Sequence, residues 1–389
     1  MPFIFIHTHP IQYFAPLYQY MAAQGMPLQV WYCAPSSNSN GYDTEFGTQV
    51  SWDIPLLQGY TYRIFKNEAG EKAKQKKNFK AFNNPEMLQA LQQEQASVVV
   101  VHGWNYSTYV SLLRYAKKWG HQLAFRGETN YAMEMARPFW HRWLRKPLLR
   151  WLLKDVDYFL CIGTQSKRFY EYLGIHKSKL VHTPYAVDNR RFQEATANAR
   201  PLALRQQLSI PENAFVWLNS GKYIQKKRPL DLLQAFAKTN APNTFLVMMG
   251  EGALRSEMEQ FIRDNHLQQK VLLTGFINQQ EVPAYYAMAN AFVMCSDYGE
   301  TWGLSVNEAM NFLLPVLVSN RCGCAIDLVD EGKNGFVFNT GDTATLAAYM
   351  QQLLQLPPAA ISAMGNASLQ KINTHSYHAI YERLLPLHA

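Results

Sequence analysis

The sequence contains no long hydrophobic run, which limits how the chain can meet a membrane. No apolar stretch reaches the roughly 18 residues that a membrane-spanning helix requires. The opening stretch MPFIFIHTHP has no basic region and only a short apolar part, so we expect no secretory signal. Charged residues are also few, at 17%, while hydrophobic residues make up 48%, and this balance indicates a globular protein rather than a disordered one.

Cysteine is scarce and its number is odd, which argues against a disulfide framework. The five cysteines are Cys33, Cys161, Cys295, Cys322 and Cys324. Most of them lie in apolar, strand-like runs, as expected of a chain that folds in a reducing cytoplasm. The pair in RCGC is too closely spaced to form a zinc site alone, and no second pair completes it. We predict a cytoplasmic protein without metal or cofactor, and we leave open a peripheral contact with the inner membrane face.

Acidic residues are outnumbered by basic ones, 29 against 37, which gives a net charge of +8. Such a charge attracts nucleic acid, an anionic membrane surface or an anionic small substrate. No RNA-binding or zinc-finger signature accompanies it. We therefore predict no nucleic-acid partner.

Short apolar runs rich in Val, Ile and Phe alternate with longer helical patterns along the chain. In the first half these runs are 3–7, 28–33, 97–103, 122–127, 158–163 and 179–184, and in the second half they are 215–221, 244–250, 271–276, 291–296, 315–320 and 335–339. Strands that are apolar on both faces belong in parallel sheets covered by helices. The two series therefore predict an α/β chain with two doubly wound, Rossmann-like domains.

The length of the chain also favours two domains, because 389 residues exceed what one ordinary core organises. The polar segment 190–213 separates the two series of strands. We predict an N-terminal domain over residues 1–195 and a C-terminal domain over residues 196–370. Residues 371–389 are predicted to form a helix that packs back on the first domain.

Ligands of parallel sheets bind beyond the carboxyl ends of the strands, and the first strand of the second half ends in a basic turn. Gly221 closes this strand, Lys222 follows it, and Lys227 and Arg228 precede Pro229, a residue type that often starts a helix. The unpaired amides and positive dipole of a helix start attract anions. With its lysines the turn suits a diphosphate, although a solvated basic loop fits the pattern equally well.

The stretch DYGETWGLSVNEAM (297–310) follows another strand and carries two glutamates, Glu300 and Glu308. If its helix begins near residue 304 or 305, the helix start offers backbone amides to an anion. These amides belong to Trp302, Gly303, Leu304 and Ser305. Because carboxylates repel phosphate, we predict that both glutamates accept hydrogen bonds from sugar hydroxyls on either side of a nucleotide-sugar diphosphate. For Glu308 the alternative is a purely electrostatic role at the helix start.

Both segments resemble the donor domain of the retaining family 4 glycosyltransferases, the glycosyl transferases group 1. The family's two glutamates match Glu300 and Glu308, with Trp302 where phenylalanine is usual. The residues that match its diphosphate-binding motif are Gly221, Lys222 and Lys227. The first of these lysines replaces an arginine, which keeps the charge but loses a bidentate fork. Three further landmarks match in order: GEG (250–252), TGFI (274–277) and GKNGFVF (332–338).

The resemblance implies the GT-B fold, whose two domains face each other across a cleft, and an activity. That activity is retaining transfer of a sugar from a nucleotide-diphosphate sugar to a glycan or lipid-linked acceptor, in cell-surface polysaccharide or glycolipid biosynthesis. Lys222 and Lys227 would stabilise the leaving diphosphate without metal or cofactor. Glu300 would act at the transferred sugar, Glu308 would hold the ribose, and Ile277 would line the donor site. A nucleotide-sugar epimerase of the same fold and a non-catalytic sugar- or membrane-binding protein remain alternatives.

The first half resembles the family more weakly. HTHPIQYFAPLY (7–18) is similar to the start of a subset of members, but the usual glycine-rich loop is missing, so Gln12 is expected near the acceptor. His102 follows a strand where members place a histidine close to the transferred sugar. The resemblance implies a catalytic role, and a structural histidine is the alternative. Arg126 and Glu128 follow the next strand as predicted acceptor or sugar contacts, with a mutual salt bridge as the alternative.

Two tempting motifs carry no function in this interpretation. DVD (155–157) is similar to the metal-binding D-x-D of another glycosyltransferase fold. It precedes its strand, however, and should therefore lie at the wrong end of the sheet. GEGALR (250–255) has only part of a dinucleotide-binding glycine pattern and lacks the context of that motif.

The segment 137–154 combines six Lys or Arg residues with no acid. Four of the basic residues are spaced four apart: Arg142, Lys146, Arg150 and Lys154. Trp and Leu side chains run along another face, a pattern typical of helices that lie on anionic bilayers. A kink is expected at Pro147. The alternative is that the tryptophans pack into the N-terminal domain and the basic residues are simply solvated.

Overall fold

A computed structural model describes the chain apart from residues 36–41, 44–47, 50–52, 71–77, 199–200, 240 and 389. Its strands are β1 (Phe3–His7), β2 (Leu28–Tyr32), β3 (Tyr42–Asp43), β4 (Thr48–Gln49), β5 (Thr61–Ile64), β6 (Val98–Val101), β7 (Gln122–Phe125), β8 (Tyr158–Cys161), β9 (Leu180–His182), β10 (Phe215–Ser220), β11 (Thr244–Met249), β12 (Val271–Gly275), β13 (Ala291–Met294), β14 (Val316–Ser319) and β15 (Gly335–Phe338).

The helices surround two parallel sheets. They are α1 (Ala15–Ala23), α2 (Pro85–Gln93), α3 (Ser107–Tyr115), α4 (Tyr131–Met135), α5 (Phe139–Leu152), α6 (Thr164–Tyr172), α7 (Asn189–Asn198), α8 (Pro201–Gln207), α9 (Pro229–Thr239), α10 (Arg255–Asp264), α11 (Val282–Met288), α12 (Leu304–Asn311), α13 (Ala325–Leu328), α14 (Thr343–Gln355), α15 (Pro358–Asn373) and α16 (Tyr377–His388). Within the described part of the chain, no helix is long and apolar enough to cross a membrane.

The chain divides into two compact units. The first comprises Met1–Ser39, Pro55–Tyr185 and Tyr377–Ala389, and the second comprises Asn40–Ile54 and Ala186–Ser376. The predicted boundaries were residues 195 and 370, whereas the units divide after residues 185 and 376. Helix α7 belongs to the second unit because the side chain of Asn189 donates hydrogen bonds to the carbonyl oxygens of Ile372 and His375, both at 3.1 Å.

The first unit is built on a seven-stranded parallel sheet with the order β5-β2-β1-β6-β7-β8-β9. Every residue of the paired strands β1 and β6 is buried. The strand order reverses between these two strands, so the loops that follow them diverge and leave a crevice at their carboxyl ends. The edge strand β5 was not predicted, because its four residues are exposed and show no apolar pattern.

The last helix, α16, packs within the first unit. The Tyr20 hydroxyl of α1 lies 3.2 Å from Nδ1 of His378, and the Tyr381 hydroxyl donates to the carbonyl oxygen of Gln24 at 3.3 Å. Ile380 and Leu384 of the same helix are buried. Apolar burial and two polar contacts therefore hold the end of the chain against the first helix.

The second unit is built on a six-stranded parallel sheet with the order β12-β11-β10-β13-β14-β15. This is the strand order of the Rossmann fold, and its reversal lies between β10 and β13. The two strands pair in parallel, with Trp217 opposite Ala291 and Leu218 opposite Phe292. All six strands lie in the predicted runs, which confirms the α/β class and the second doubly wound domain.

Candidate active site

The two predicted donor-site segments follow β10 and β13, the pair of strands at which the order of the second sheet reverses. Loops at such a point diverge and create the usual ligand crevice of a parallel sheet. The structure therefore brings the basic turn after Gly221 and the stretch that carries Glu300 to one edge of one sheet. These segments lie about 80 residues apart in the sequence, and only the parallel pairing of β10 with β13 makes them neighbours.

Lys227 and Glu300 form an ion pair, Nζ to Oε2, and both side chains are largely buried, with 21% and 13% exposure. Lys227 ends a 3₁₀ turn, Gln225–Lys227, and its methylenes lie close to Gly221, where an added Cβ would be 3.6 Å from Cδ and Cε. The sequence predicted separate roles for the two charges. The structure instead places them together, so each one fixes the position of the other.

The neighbouring basic residues are held by other acids. Arg228 contacts Asp231, with Nε to Oδ2 at 2.5 Å, and also Asp297, with Nη1 to Oδ2 at 3.5 Å. Arg321 Nη1 lies 2.9 Å from Oδ1 of Asp297. Burial alone would raise the pKa of Asp297, but hydrogen bonds from Arg321 and the Tyr298 amide, together with the two guanidinium charges, lower it below its ordinary value. Asp297 is thus an ionised anchor for the loop that contains Glu300.

Helix α12 begins at Leu304, as predicted, and no side chain caps it. Its N-cap, Gly303, has φ of +102°, and an added Cβ would lie 2.7 Å from Cys322 Sγ and 2.8 Å from Met294 Sδ. A glycine N-cap leaves the first-turn amides, including those of Leu304 and Ser305, without a side-chain acceptor from the cap. This helix start is therefore suited to an anionic group.

Trp302 contributes its backbone rather than its ring to this loop. The indole is 2% exposed, and its Nε1 donates to Oδ1 of Asn307 at 2.8 Å. The Trp302 carbonyl accepts a hydrogen bond from the Cys324 amide at 3.0 Å. The ring anchors the turn that precedes α12, which explains how tryptophan can occupy a position where the resembled family has phenylalanine.

Glu308 is buried, at 3% exposure, and accepts a hydrogen bond from the Tyr286 hydroxyl at 2.8 Å. A carboxylate that lies inside a protein is costly unless specific donors face it. Tyr286 belongs to α11 and was missed by sequence reasoning, because nothing local relates a tyrosine on one helix to a glutamate on the next. This contact fixes the orientation of Glu308, which the role of helix-start stabiliser alone does not require.

The GEG turn packs against the backbone of the basic loop that follows β10. Gly250 has φ of +152°, and an added Cβ would lie 1.9 Å from the carbonyl oxygen of Gly221. Gly252 has φ of +153°, and its added Cβ would lie within 3.0 Å of the Tyr223 backbone. The Gly250 amide donates to the Gly275 carbonyl at 2.9 Å. The two glycines thus allow the GEG turn to pack closely against the backbone of the loop that carries Lys222. The side chain of Lys222 is partly exposed.

Ile277 follows the end of β12 and is partly exposed. It therefore lies at the carboxyl end of the second sheet, where the donor-site prediction requires it to be. Its role in donor binding stays a prediction, as do the roles of the other donor-site residues.

In the first unit, His7 and His102 meet at the ends of β1 and β6, where the strand order reverses. Their rings stack with centroids 3.9 Å apart at an angle of 29°. His7 is 3% exposed, and its Nε2 contacts the Tyr18 hydroxyl. Sequence reasoning missed His7 as a partner of His102. The available signal was that each histidine follows the apolar core of its strand, and these two strands are neighbours in a Rossmann-like order.

His102 is held as a neutral acceptor. Its Nδ1 donates to the carbonyl oxygen of Ile6 at 3.0 Å, which leaves Nε2 as the acceptor nitrogen. Burial, followed by the charge of Arg126, lowers the pKa of His102 to about 3, although the hydrogen bond to Ile6 opposes the change. The pKa of His7 is also lowered, first by burial and then by the charges of His102, His9 and Arg126. Near neutral pH this pair can orient a hydroxyl group but does not donate a proton from an imidazolium.

We expect the protein to lose stability through these histidines as the pH falls from about 7 to about 5. Because both folded-state pKa values lie below the ordinary 6.5, the unfolded chain binds protons that the folded chain does not. Their stabilising contribution is complete above the unfolded pKa and is lost as the pH falls towards the folded pKa. The loss reaches at most about 1.4 kcal/mol per pH unit for each histidine. Urea unfolding at the two pH values measures it.

His102→Gln should lose less stability than the unchanged protein over the same pH interval, because glutamine does not bind the proton. The matched control is His141→Gln, which changes an exposed histidine in the same unit. It should lose as much stability as the unchanged protein. Equal losses in all three proteins would contradict the proposed protonation state of His102.

Arg126 is 5% exposed and its guanidinium lies over the rings of Phe14 and Tyr185, at 5.2 and 4.7 Å from their centroids. The Tyr185 hydroxyl donates to Oε1 of Glu128 at 2.8 Å. Tyr185 therefore connects the two charged residues that were predicted to contact acceptor or sugar. Gln12 lies in the turn closed by the bond from the Phe14 amide to the Ile11 carbonyl, and it is partly exposed.

The discounted motifs have structural roles. Asp157 precedes β8, pairs with Lys117 at 2.5 Å and accepts a hydrogen bond from the Leu123 amide at 3.0 Å. The Sγ atoms of Cys322 and Cys324 lie 3.7 Å apart, and both are buried free thiols. Over the described ranges, no group of three or more His, Cys, Asp or Glu side chains is placed to hold a metal ion.

The comparison with known families agrees with this geometry. Residues 202–369 match the model for glycosyl transferases group 1. The match covers less than half of the chain. The matched range contains the basic turn, the GEG turn and both glutamates of the group 1 motif. The resemblance inferred from the sequence is confirmed, while the functions of individual residues stay predictions.

Curated relatives of the group 1 family match part of the chain. The alpha-monoglucosyldiacylglycerol synthase of Acholeplasma laidlawii is 27% identical over 171 residues, which cover 43% of this chain and 42% of the relative. The GDP-mannose-dependent alpha-(1-6)-phosphatidylinositol monomannoside mannosyltransferase of Mycolicibacterium smegmatis is 30% identical over 240 residues, 58% of this chain and 61% of the relative. The chain thus spans less than two thirds of the length of these relatives.

Solved structures show the fold of the whole chain. Anabaena HepE, solved in complex with UDP and glucose, is 15% identical and has a TM-score of 0.73, with coverage of 100% of this chain and 99% of HepE. The sucrose-phosphate synthase of Thermosynechococcus elongatus is 18% identical and has the same TM-score. The GT-B fold expected from the group 1 resemblance is therefore confirmed.

Proposed function

We propose that the protein is a retaining glycosyltransferase that moves a sugar from a nucleotide-diphosphate sugar to a glycan or lipid-linked acceptor. The observation that carries the proposal is the buried ion pair of Lys227 and Glu300 beside the glycine-capped start of α12. An ammonium group and helix-start amides suit the diphosphate, and a carboxylate suits the sugar hydroxyls. The second unit presents all three at one edge of its sheet.

The chemical demand of the reaction is to stabilise the negative charge that grows on the departing diphosphate. Lys222, Lys227 and the amides at the start of α12 would supply positive charge and dipoles that are already in position. Preorganised groups of this kind do not have to reorient as the sugar–oxygen bond breaks. We therefore propose that transfer proceeds without a metal ion or other cofactor.

The two glutamates would act on opposite sides of the diphosphate. Glu300, positioned by Lys227, would accept hydrogen bonds from the transferred sugar, and Glu308, positioned by Tyr286, would accept them from the ribose. Retention of configuration follows from the family resemblance. In the first unit, the neutral Nε2 of His102 has the hydrogen-bonding capacity that the resemblance assigns to a catalytic histidine at the transferred sugar.

The names of the relatives support a role in glycolipid or cell-surface polysaccharide synthesis. One relative is a diacylglycerol glucoside synthase, one is a phosphatidylinositol monomannoside mannosyltransferase, and a third is a lipopolysaccharide core glycosyltransferase of Rhizobium meliloti. HepE was solved with UDP, whereas the mannosyltransferase depends on GDP-mannose, so the base of the donor is a matter for experiment. Five buried free thiols accord with a reducing compartment such as the cytoplasm.

We expect one of UDP, GDP, ADP or dTDP to bind the protein and raise its melting temperature. Glu308→Ala should lower the affinity for that nucleotide at least about tenfold. The loss reflects one charged hydrogen-bond acceptor removed from a buried site. Tyr286→Phe should lower this affinity less, because the Glu308 carboxylate is still present and loses only the hydroxyl group that orients it. A thermal-shift titration with each nucleotide measures these affinities. The shift of each variant is taken relative to the same variant without nucleotide.

Glu257→Ala is the matched control, because Glu257 is an exposed glutamate on another helix of the same unit. It should bind the nucleotide like the unchanged protein. No shift with any nucleotide or nucleotide sugar would contradict the proposed function. A nucleotide sugar recovered with an altered sugar still attached would instead identify an epimerase.

A further inference from the structure

The surface of α5 presents a contiguous apolar face to solvent. Six large hydrophobic side chains of this helix are between 52% and 73% exposed. They are Phe139, Trp140, Trp143, Leu144, Leu148 and Trp151. Spacings of three and four place most of them along one side of an α-helix. Single exposed apolar residues are common on protein surfaces. A continuous apolar stripe that contains three tryptophans indicates an interaction site for a protein, a membrane or a ligand.

The helix is attached to the first unit by its opposite side. Leu149 is 3% exposed, and Arg145 Nε reaches Oε2 of the buried Glu134 at 3.2 Å. Arg142 Nη1 lies 3.0 Å from Sδ of Met135. Two basic side chains therefore face the protein while the tryptophans face away. This polarity contradicts the alternative in which the tryptophans pack into the domain and the basic residues are simply solvated.

The apolar stripe is bordered by positive charge. Arg150 and Lys154 are exposed, and the guanidinium of Arg114 lies 5.5 Å from the ring centroid of Trp151. A groove of about 630 Å³ runs beside the stripe, lined by Phe139, Arg142, Trp143, Leu144, Lys146, Pro147, Arg150 and Tyr172. The segment 137–154 has six basic residues and no acid. This surface thus combines an apolar stripe and groove with basic side chains along their edge.

We propose that this face of α5 docks on an anionic phospholipid bilayer. Its tryptophans would lie at the boundary between acyl chains and headgroups, where indole rings concentrate. Its basic margin would contact the lipid phosphates, and the groove beside Trp143 and Lys146 has room for part of one headgroup. A second copy of the chain is a poorer occupant, because it would bring two such basic segments together.

Flotation with vesicles tests this docking and does not depend on any sugar-transfer activity. The unchanged protein should float with phosphatidylglycerol–phosphatidylcholine vesicles at low ionic strength, bind less as salt is added, and not float with pure phosphatidylcholine. Replacing Trp140 and Trp143 by serine should abolish flotation. The double change Arg150→Gln and Lys154→Gln should lower the partition coefficient about 25-fold, since each basic residue contributes about fivefold.

Leu202→Ser is the matched control, because Leu202 is a 47% exposed leucine in the second unit. It should float as well as the unchanged protein. The nucleotide-induced melting shift of every variant should stay intact, which separates a failed docking proposal from a failed donor site. Absence of flotation by the unchanged protein would overturn the proposal. So would a self-association that the Trp140 and Trp143 changes abolish, because the face would then belong to a second copy.

Discussion

Replacing Lys227 with alanine is expected to lower the turnover number by at least about 100-fold, the scale for the loss of one preorganised charge-stabilising group. The change removes the ammonium that would face the departing diphosphate. It also leaves the carboxylate of Glu300 without the ion pair that positions it, at a place where only 13% of that side chain is exposed. Turnover can be measured as nucleotide released from the donor sugar that the thermal-shift panel identifies.

Glu300→Gln should lower the turnover number by a similar factor, because an amide keeps the shape of the side chain but loses the charge that Lys227 binds. The double variant is the sharper measurement. Since the two groups hold each other, the combined loss should fall far short of the product of the two single losses. Lys226→Ala, on the same 3₁₀ turn, is the matched control and should change turnover by less than about fivefold. Near-normal turnover in both single variants would refute the site assignment.

The fold was largely predictable because buried parallel strands leave a strong local signal. Twelve apolar runs were predicted as strands, and each of them contains one in the structure. Within the two parallel sheets the exception was β5, whose residues are exposed and whose existence depends on pairing with β2. The domain boundary also depended on distant contacts. Asn189 binds the carbonyl groups of Ile372 and His375, and no local pattern near residue 189 indicates them.

The candidate site was predictable by segment but not by contact. A strand end followed by Lys222 and Lys227, and a helix start near Leu304, are local features that can be recognised in the sequence. The pairing of Lys227 with Glu300 and of Glu308 with Tyr286 depends on side-chain directions that only the tertiary structure provides. The exposed face of α5 is a similar case, because its periodicity is the same whether the tryptophans point inward or outward.

Replacing Gly250 with alanine is expected to destabilise the second unit by at least about 3 kcal/mol, the sum of backbone strain and overpacking. The residue has φ of +152°, and its added Cβ would lie 1.9 Å from the carbonyl oxygen of Gly221. Backbone cannot move aside as a flexible side chain does, so the loop that carries Lys222 must shift. In a unit of this size the melting temperature should fall by about 6–12 °C, as calorimetry can measure. Nucleotide affinity should fall with it.

Gly332→Ala separates the effect of the collision from that of the dihedral angle. Gly332 also lies in the left-handed region, with φ of +73°, but no atom lies within 4 Å of its added Cβ. This variant should lose about 1–2 kcal/mol, the ordinary penalty of an L-residue in that conformation, and should bind nucleotide normally. If the two variants melted at the same temperature, the close contact between Gly250 and Gly221 would not contribute to the free energy of unfolding. The position of Lys222 would then have to depend on its own strand end rather than on the GEG turn beneath it.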